Sequence, residues 1–220
     1  MAKKSISAFI DLIIFLSTMF LVREVYFDSL GFWGNALFKS LSTVGIATLL
    51  LYVRKQSWKD IGLTKPNNIG RFLVTIAITL TSTIVLIMVF QIFFADLMPS
   101  HGETAASVNA SKAEKSVGMI LFIVTAVWVE SFLEELQDRG FSLNRLEALI
   151  GYKPVATIFA VLMQAAIFGF RHSYDFSERS ITTGLIGLGF GIVYVLSGRN
   201  LWPLIIAHIV LNSMSIFEKL

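Results

Sequence analysis

Apolar residues in this chain fall into long runs, not into an alternating pattern. The runs cover 6–22, 36–53, 72–98, 117–133, 155–170, 181–196 and 201–217. A helix needs about 20 mostly apolar residues to cross about 30 Å of hydrocarbon. Lipid offers backbone amides no partner, so such runs must be helices that satisfy their own N–H and C=O groups. The two-residue alternation of a transmembrane β-barrel is missing. The pattern therefore predicts an all-α, polytopic transmembrane helix bundle of about seven to eight spans, the eighth arising if a long run is broken. The polar stretch 99–116 is expected to be an exposed loop.

Two runs carry further local signals. Past residue 133 the apolar helical period continues through Phe141, Leu143, Leu146 and Leu149, and the first convincing turn signal is Gly151 to Pro154. The fourth helix should thus extend well beyond Glu134, with Gly140 as a candidate bend. Gly187 and Gly191 lie four apart, share a helix face and should let another helix approach closely.

Composition agrees with this reading and narrows it. Hydrophobic residues make up 55% of the 220 and charged residues only 15%, against about 25% charged in soluble domains. That excludes a disordered tail and argues against a nucleic-acid partner. The absence of cysteine excludes a disulfide scaffold and any thiol nucleophile. The organisation expected is one membrane-embedded unit over 1–220, with N-terminal accessory helices in 1–98 and a functional core in 117–217. Lys3 and Lys4 precede a run that Asp11 interrupts and no small-residue cleavage site follows, so a retained helix is expected over a signal peptide. If each run crosses once, Arg54, Lys55, Lys59, Lys65, Arg71, Arg139, Arg145, Lys153 and Arg199 share the side of Lys3 and Lys4. Arg23, Lys39, Lys112, Lys115, Arg171, Arg179 and Lys219 fall opposite. The bias favours a cytoplasmic N-terminus.

Ionisable residues inside spans cost a few kcal/mol each and therefore carry the functional signal. Three groups stand out. Glu130, Glu134, Glu135, Asp138 and Arg139 crowd the fourth helix, where Glu135 and Arg139 are spaced to pair along one face. Phe168 and His172 lie one turn apart in the fifth run, and His208 and Asn212 one turn apart in the last. If Gly151 to Pro154 closes a hairpin, Glu134 and His172 sit at matching depth. Straight hairpin arms would leave His208 roughly 15 Å deeper than His172, so a helix must tilt or a segment dip for the two to meet.

These motifs, E-E-x-x-x-R at Glu134 to Arg139, F-x-x-x-H at Phe168 to His172 and H-x-x-x-N at His208 to Asn212, resemble the CPBP family. That family comprises type II CAAX prenyl endopeptidases and bacteriocin-processing or Abi membrane proteins. The resemblance covers about the C-terminal half. It implies an intramembrane catalytic cavity and a glutamate-dependent endopeptidase. Glu134 would activate a water with help from His172, and His208 and Asn212 would stabilise the oxyanion. Glu135, Arg139 and Phe168 would orient the site. The chain departs from the pattern between the glutamates and the arginine, where apolar residues are usual and Gln137 and Asp138 stand instead. Asp138 is expected to compete with Glu135 for Arg139.

The resemblance implies no obligatory cofactor. Its partners would be the lipid bilayer and a peptide, or a protein C-terminus, as substrate, with prenylated CAAX proteins the eukaryotic substrate class. It implies residence in a bacterial plasma membrane. Two other readings remain at this point: a zinc metalloprotease, although H-E-x-x-H is absent, and a non-catalytic protein of bacteriocin-immunity or scaffold type.

Overall fold

A computed structural model describes residues 2–94, 96, 116–151 and 153–217. Residues 99–115 of the predicted loop, with His101, Lys112 and Lys115, lie outside the described residues, as does Lys219; the side chains of Lys3 and Lys4 are likewise outside. The helices are α1 (Ala2–Arg23), α2 (Gly31–Val53), α3 (Ile69–Phe93), α4 (Val117–Glu135), α5 (Leu143–Ile150), α6 (Pro154–Ser173), α7 (Glu178–Leu196) and α8 (Leu201–Phe217). A π-helical turn, Leu136–Ser142, joins α4 to α5. Among the described residues there is no strand. Among the described residues six helical stretches are long and apolar enough to cross a membrane, and Leu201–Ile216 is a shorter apolar helix. The protein is an integral membrane helix bundle.

Local chemistry sets the ends that matter. The Ser116 hydroxyl accepts from the Met119 amide and starts α4. Gly151 ends α5 with a φ of 111°, a conformation costly for any residue with a Cβ. Pro154 opens α6 at a position where its missing N–H costs nothing. The fourth run thus continues from Val117 to Ile150. Gly140 serves close packing: a Cβ there would lie 3.2 Å from Leu201 Cδ1 and 3.5 Å from Trp58 Cζ3.

α6 and α7 form a tight hairpin. A Cβ on Gly169 would sit 2.8 Å from the Gly184 Cα, and one on Gly187 would sit 3.2 Å from the Ala165 Cα. The glycine face expected to admit another helix meets α6. α8 does not lie along α7; it packs on α4 and α3. The straight-arm construction that left His208 too deep therefore does not apply.

The sidedness count needs correction. Arg139, Arg145 and Arg171 enter the sidedness count, but all three lie inside membrane-length helical stretches. Arg139 is fully buried, Arg145 is 6% exposed and the Arg171 side chain is 10% exposed. Each meets a carboxylate: Arg145 meets Asp11 at 3.2 Å, Arg139 meets Glu135 and Arg171 meets Glu134 and Asp138. Arg54, beyond the end of α2, also holds Asp11 at 2.8 Å, and that hydrogen bond raises the guanidinium pKa above its usual value. Charge patterning alone cannot separate a loop arginine from one whose partner lies far away in sequence.

Candidate active site

The last turn of α4 presents Glu134 and Glu135 in directions about 100° apart. Glu135 points into the bundle and is fully buried. Its Oε1 accepts from Arg139 Nη1 at 2.8 Å, the pair expected from their spacing. Arg139 also donates to the Gly187 carbonyl at 3.3 Å, and its guanidinium lies over the rings of Phe168 and Phe190. α7 can offer that carbonyl because the glycines bring its backbone close to α6.

Glu134 is 7% exposed and lies between two imidazoles. Its Oε1 is 3.4 Å from His172 Nε2 and its Oε2 is 3.5 Å from His208 Nε2. The other nitrogen of each ring is already committed. His172 Nδ1 is 2.6 Å from the Phe168 carbonyl, which can only accept, so Nδ1 carries a proton. His208 Nδ1 is 2.8 Å from Glu135 Oε1, a carboxylate held by Arg139, so Nδ1 is again the donor. Both histidines therefore turn Nε2, the nitrogen left to exchange a proton, towards Glu134. The Phe168 ring is buried and stacks 4.6 Å from His172. Its aromatic face also meets Arg171, and its carbonyl fixes the His172 tautomer.

Six of the seven motif residues converge here: Glu134, Glu135, Arg139, Phe168, His172 and His208. Asn212 lies one turn from His208, and its Nδ2 donates to the Ser131 hydroxyl at 3.0 Å, one turn before Glu134 and Glu135 on α4. Asp138 does not compete for Arg139. Its Oδ2 accepts from Arg171 Nη2 at 2.7 Å, because neighbours on a helix point to different sides. Gln137 is buried and donates to the Leu133 carbonyl at 3.3 Å.

Sequence reasoning missed Arg171, Ser40 and Ser131. Arg171 Nη2 donates to Glu134 Oε1 at 3.1 Å. Ser40, on α2, donates to Glu130, so the N-terminal half reaches the margin of the site. The signal for Arg171 was its place next to His172 inside an apolar run; serine is too common for its position to have signalled anything. Tyr174, just past α6, has a φ of 57° and holds the Arg23 guanidinium 3.6 Å above its ring. Burial pushes its phenol above the usual pKa. Among the described residues no group of three His, Cys, Asp or Glu side chains is arranged to hold a metal ion.

Residues 116–214, the segment that supplies every one of these motif residues, match the family described as type II CAAX prenyl endopeptidase Rce1-like. This segment is similar to an Rce1-like domain. No curated protein and no solved structure matches the chain. The Rce1-like match takes in α4 to α8 apart from the last residues of α8, and it leaves α1 to α3 outside. The family is one of endopeptidases, which act on peptide or protein substrates, and the fold puts this domain in a membrane.

Proposed function

We propose that the protein is an intramembrane endopeptidase in which Glu134 activates a water molecule. The observation that carries this reading is the facing of both Glu134 oxygens by histidine Nε2 atoms whose Nδ1 atoms are already committed. Hydrolysis needs a base for water, donors to the oxyanion and a proton for the leaving nitrogen. Contacts of 3.4–3.5 Å are long for hydrogen bonds, as is usual before a substrate tightens a site.

In the proposed cycle Glu134 takes one proton from water as its oxygen attacks the peptide carbonyl carbon. The carbonyl π electrons move to oxygen, and the oxyanion is met by His208 Nε2–H and the Asn212 amide. Because the Nδ1–H of His208 donates to Glu135, the proposed cycle uses a ring that carries a proton on both nitrogens from the start, with Glu135 as counter-ion, and returns it unchanged. Asn212 reaches the oxyanion by leaving the Ser131 hydroxyl. When the C–N bond breaks, the proton held by Glu134 passes to the leaving nitrogen, and the carboxylate, faced at Oε1 by His172 Nε2, is restored. Glu135 and Arg139 hold the frame.

No metal is required in this cycle. The substrate is a peptide or a protein C-terminus, with a prenylated CAAX sequence the first candidate from the family description. The N-terminus is proposed to face the cytoplasm of a bacterial cell. The test is Glu134→Gln, isosteric and unable to act as a base, compared with the wild type by mass spectrometry of peptides from cells and in detergent. Loss of every wild-type cleavage product with normal expression supports the reading. An unchanged peptide pattern removes it in favour of a non-catalytic role.

A further inference from the structure

Arg171 belongs to none of the three motifs, yet its guanidinium reaches the proposed base. Nη2 donates to Glu134 Oε1 at 3.1 Å and to Asp138 Oδ2 at 2.7 Å. The three side chains are 10%, 9% and 4% exposed, so the contacts are desolvated. The Phe168 ring lies 5.0 Å from the guanidinium carbon and closes one side. Arginine keeps its charge throughout. A buried arginine without a carboxylate, or a buried carboxylate without a cation, is strongly destabilising. Asp138 and Arg171 thus explain each other.

The contact is also one-sided. Arg171 and His172 both approach Oε1, whereas Oε2 faces His208. The last torsion of a glutamate is soft and nearly two-fold, so an unrestrained carboxylate would exchange its oxygens. We propose that Arg171, anchored by Asp138, is a positioning residue that pins Glu134 Oε1 and presents Oε2 to the reacting water beside His208. The inference rests on the Glu134 reading above. Anchoring on Asp138 keeps the guanidinium from collapsing fully onto Glu134, leaving that carboxylate free to accept a proton during turnover.

The test uses the full chain in detergent micelles. Asp138→Leu/Arg171→Leu removes both charges together, and such replacements are commonly neutral or stabilising. Turnover is measured on the synthetic peptide that the wild type cuts fastest from a mixed library of proteome-derived peptides. Reactivity of Glu134 is measured separately with dicyclohexylcarbodiimide, which attacks carboxyl groups free of ion pairs, and is located by mass spectrometry. The double variant should stay folded, with kcat down about a hundredfold and KM within about threefold. Glu134 labelling should rise several-fold, and Arg171→Lys should recover at least about a tenth of wild-type turnover by keeping the cation.

A folded double variant with wild-type kcat and unchanged labelling overturns the proposal. If that variant does not fold, Arg171→Gln is read by the same two assays with the same expectations for kcat and labelling. Glu134→Gln is run alongside. Inactivity of that variant with full activity of the double variant removes only the role of Arg171, whereas activity of Glu134→Gln removes the underlying mechanism.

Discussion

His208 is tethered to Glu135, not to Glu134: its Nδ1–H donates to Glu135 Oε1 at 2.8 Å while its Nε2 stands 3.5 Å from Glu134 Oε2. Two consecutive glutamates thus have separate surroundings. Glu135 is locked between Arg139 and His208. Glu134 meets Arg171 and the exchangeable nitrogens of two histidines.

His172→Ala and His208→Ala should each lower kcat by about 10²–10⁴-fold, the range for losing a general acid–base or an oxyanion donor. Steady-state kinetics on a wild-type substrate, with circular dichroism to verify folding, measure this. Turnover within a few-fold of wild type for either variant excludes that histidine from the chemical step.

Breaking the inner pair should cost stability first. Arg139→Met leaves Glu135 buried without its cation, and the expected loss is about 3–5 kcal/mol. Arg139 is also stacked on Phe168 and Phe190, so packing is lost as well. Denaturation in mixed micelles gives the value; a loss under about 1 kcal/mol means the pair has no structural role.

Gly169→Ala should force α6 and α7 apart, because the new methyl meets the Ser180 carbonyl and the Gly184 backbone. Overpacking of this kind costs about 1–3 kcal/mol. His172, three residues on, should move with it. Thermal melting and turnover should fall together, and an unchanged melting temperature would mean the helices separate without strain.

Activity should survive strong chelators and thiol reagents. The chain has no cysteine, and the proposed cycle uses no metal. Inactivation by a chelator with recovery on zinc alone would replace the water-activating glutamate by a zinc mechanism.

Much of this was legible in the chain itself. The spacing of Glu135 and Arg139 encoded their pairing, since residues four apart on a helix are neighbours. The continuation of the helical stretch past Glu134, through the π-helical turn and α5, was readable from the apolar period and the first turn signal at Gly151. The depth match of Glu134 with His172 followed from counting residues on two arms of one hairpin. These relationships are local, or depend on a single turn. Asp138 was misjudged for the opposite reason: its partner, Arg171, lies on another helix, and adjacency to Arg139 suggested a contact that helix geometry prevents.

By itself the sequence determined that the chain lives in a membrane as helices, because lipid leaves the polar backbone only helices or closed barrels and the alternation of a barrel is missing. It also determined which few polar residues are too costly to be incidental. The tertiary structure decided how those residues meet. α8 packs on α4 and α3 and so lifts His208 to Glu134, glycine contacts bring α7 close enough for its carbonyl to hold Arg139, and Arg171 turns inward to bridge Glu134 and Asp138. Helix tilt and partner choice arise from packing between segments far apart in sequence, and no local pattern records them.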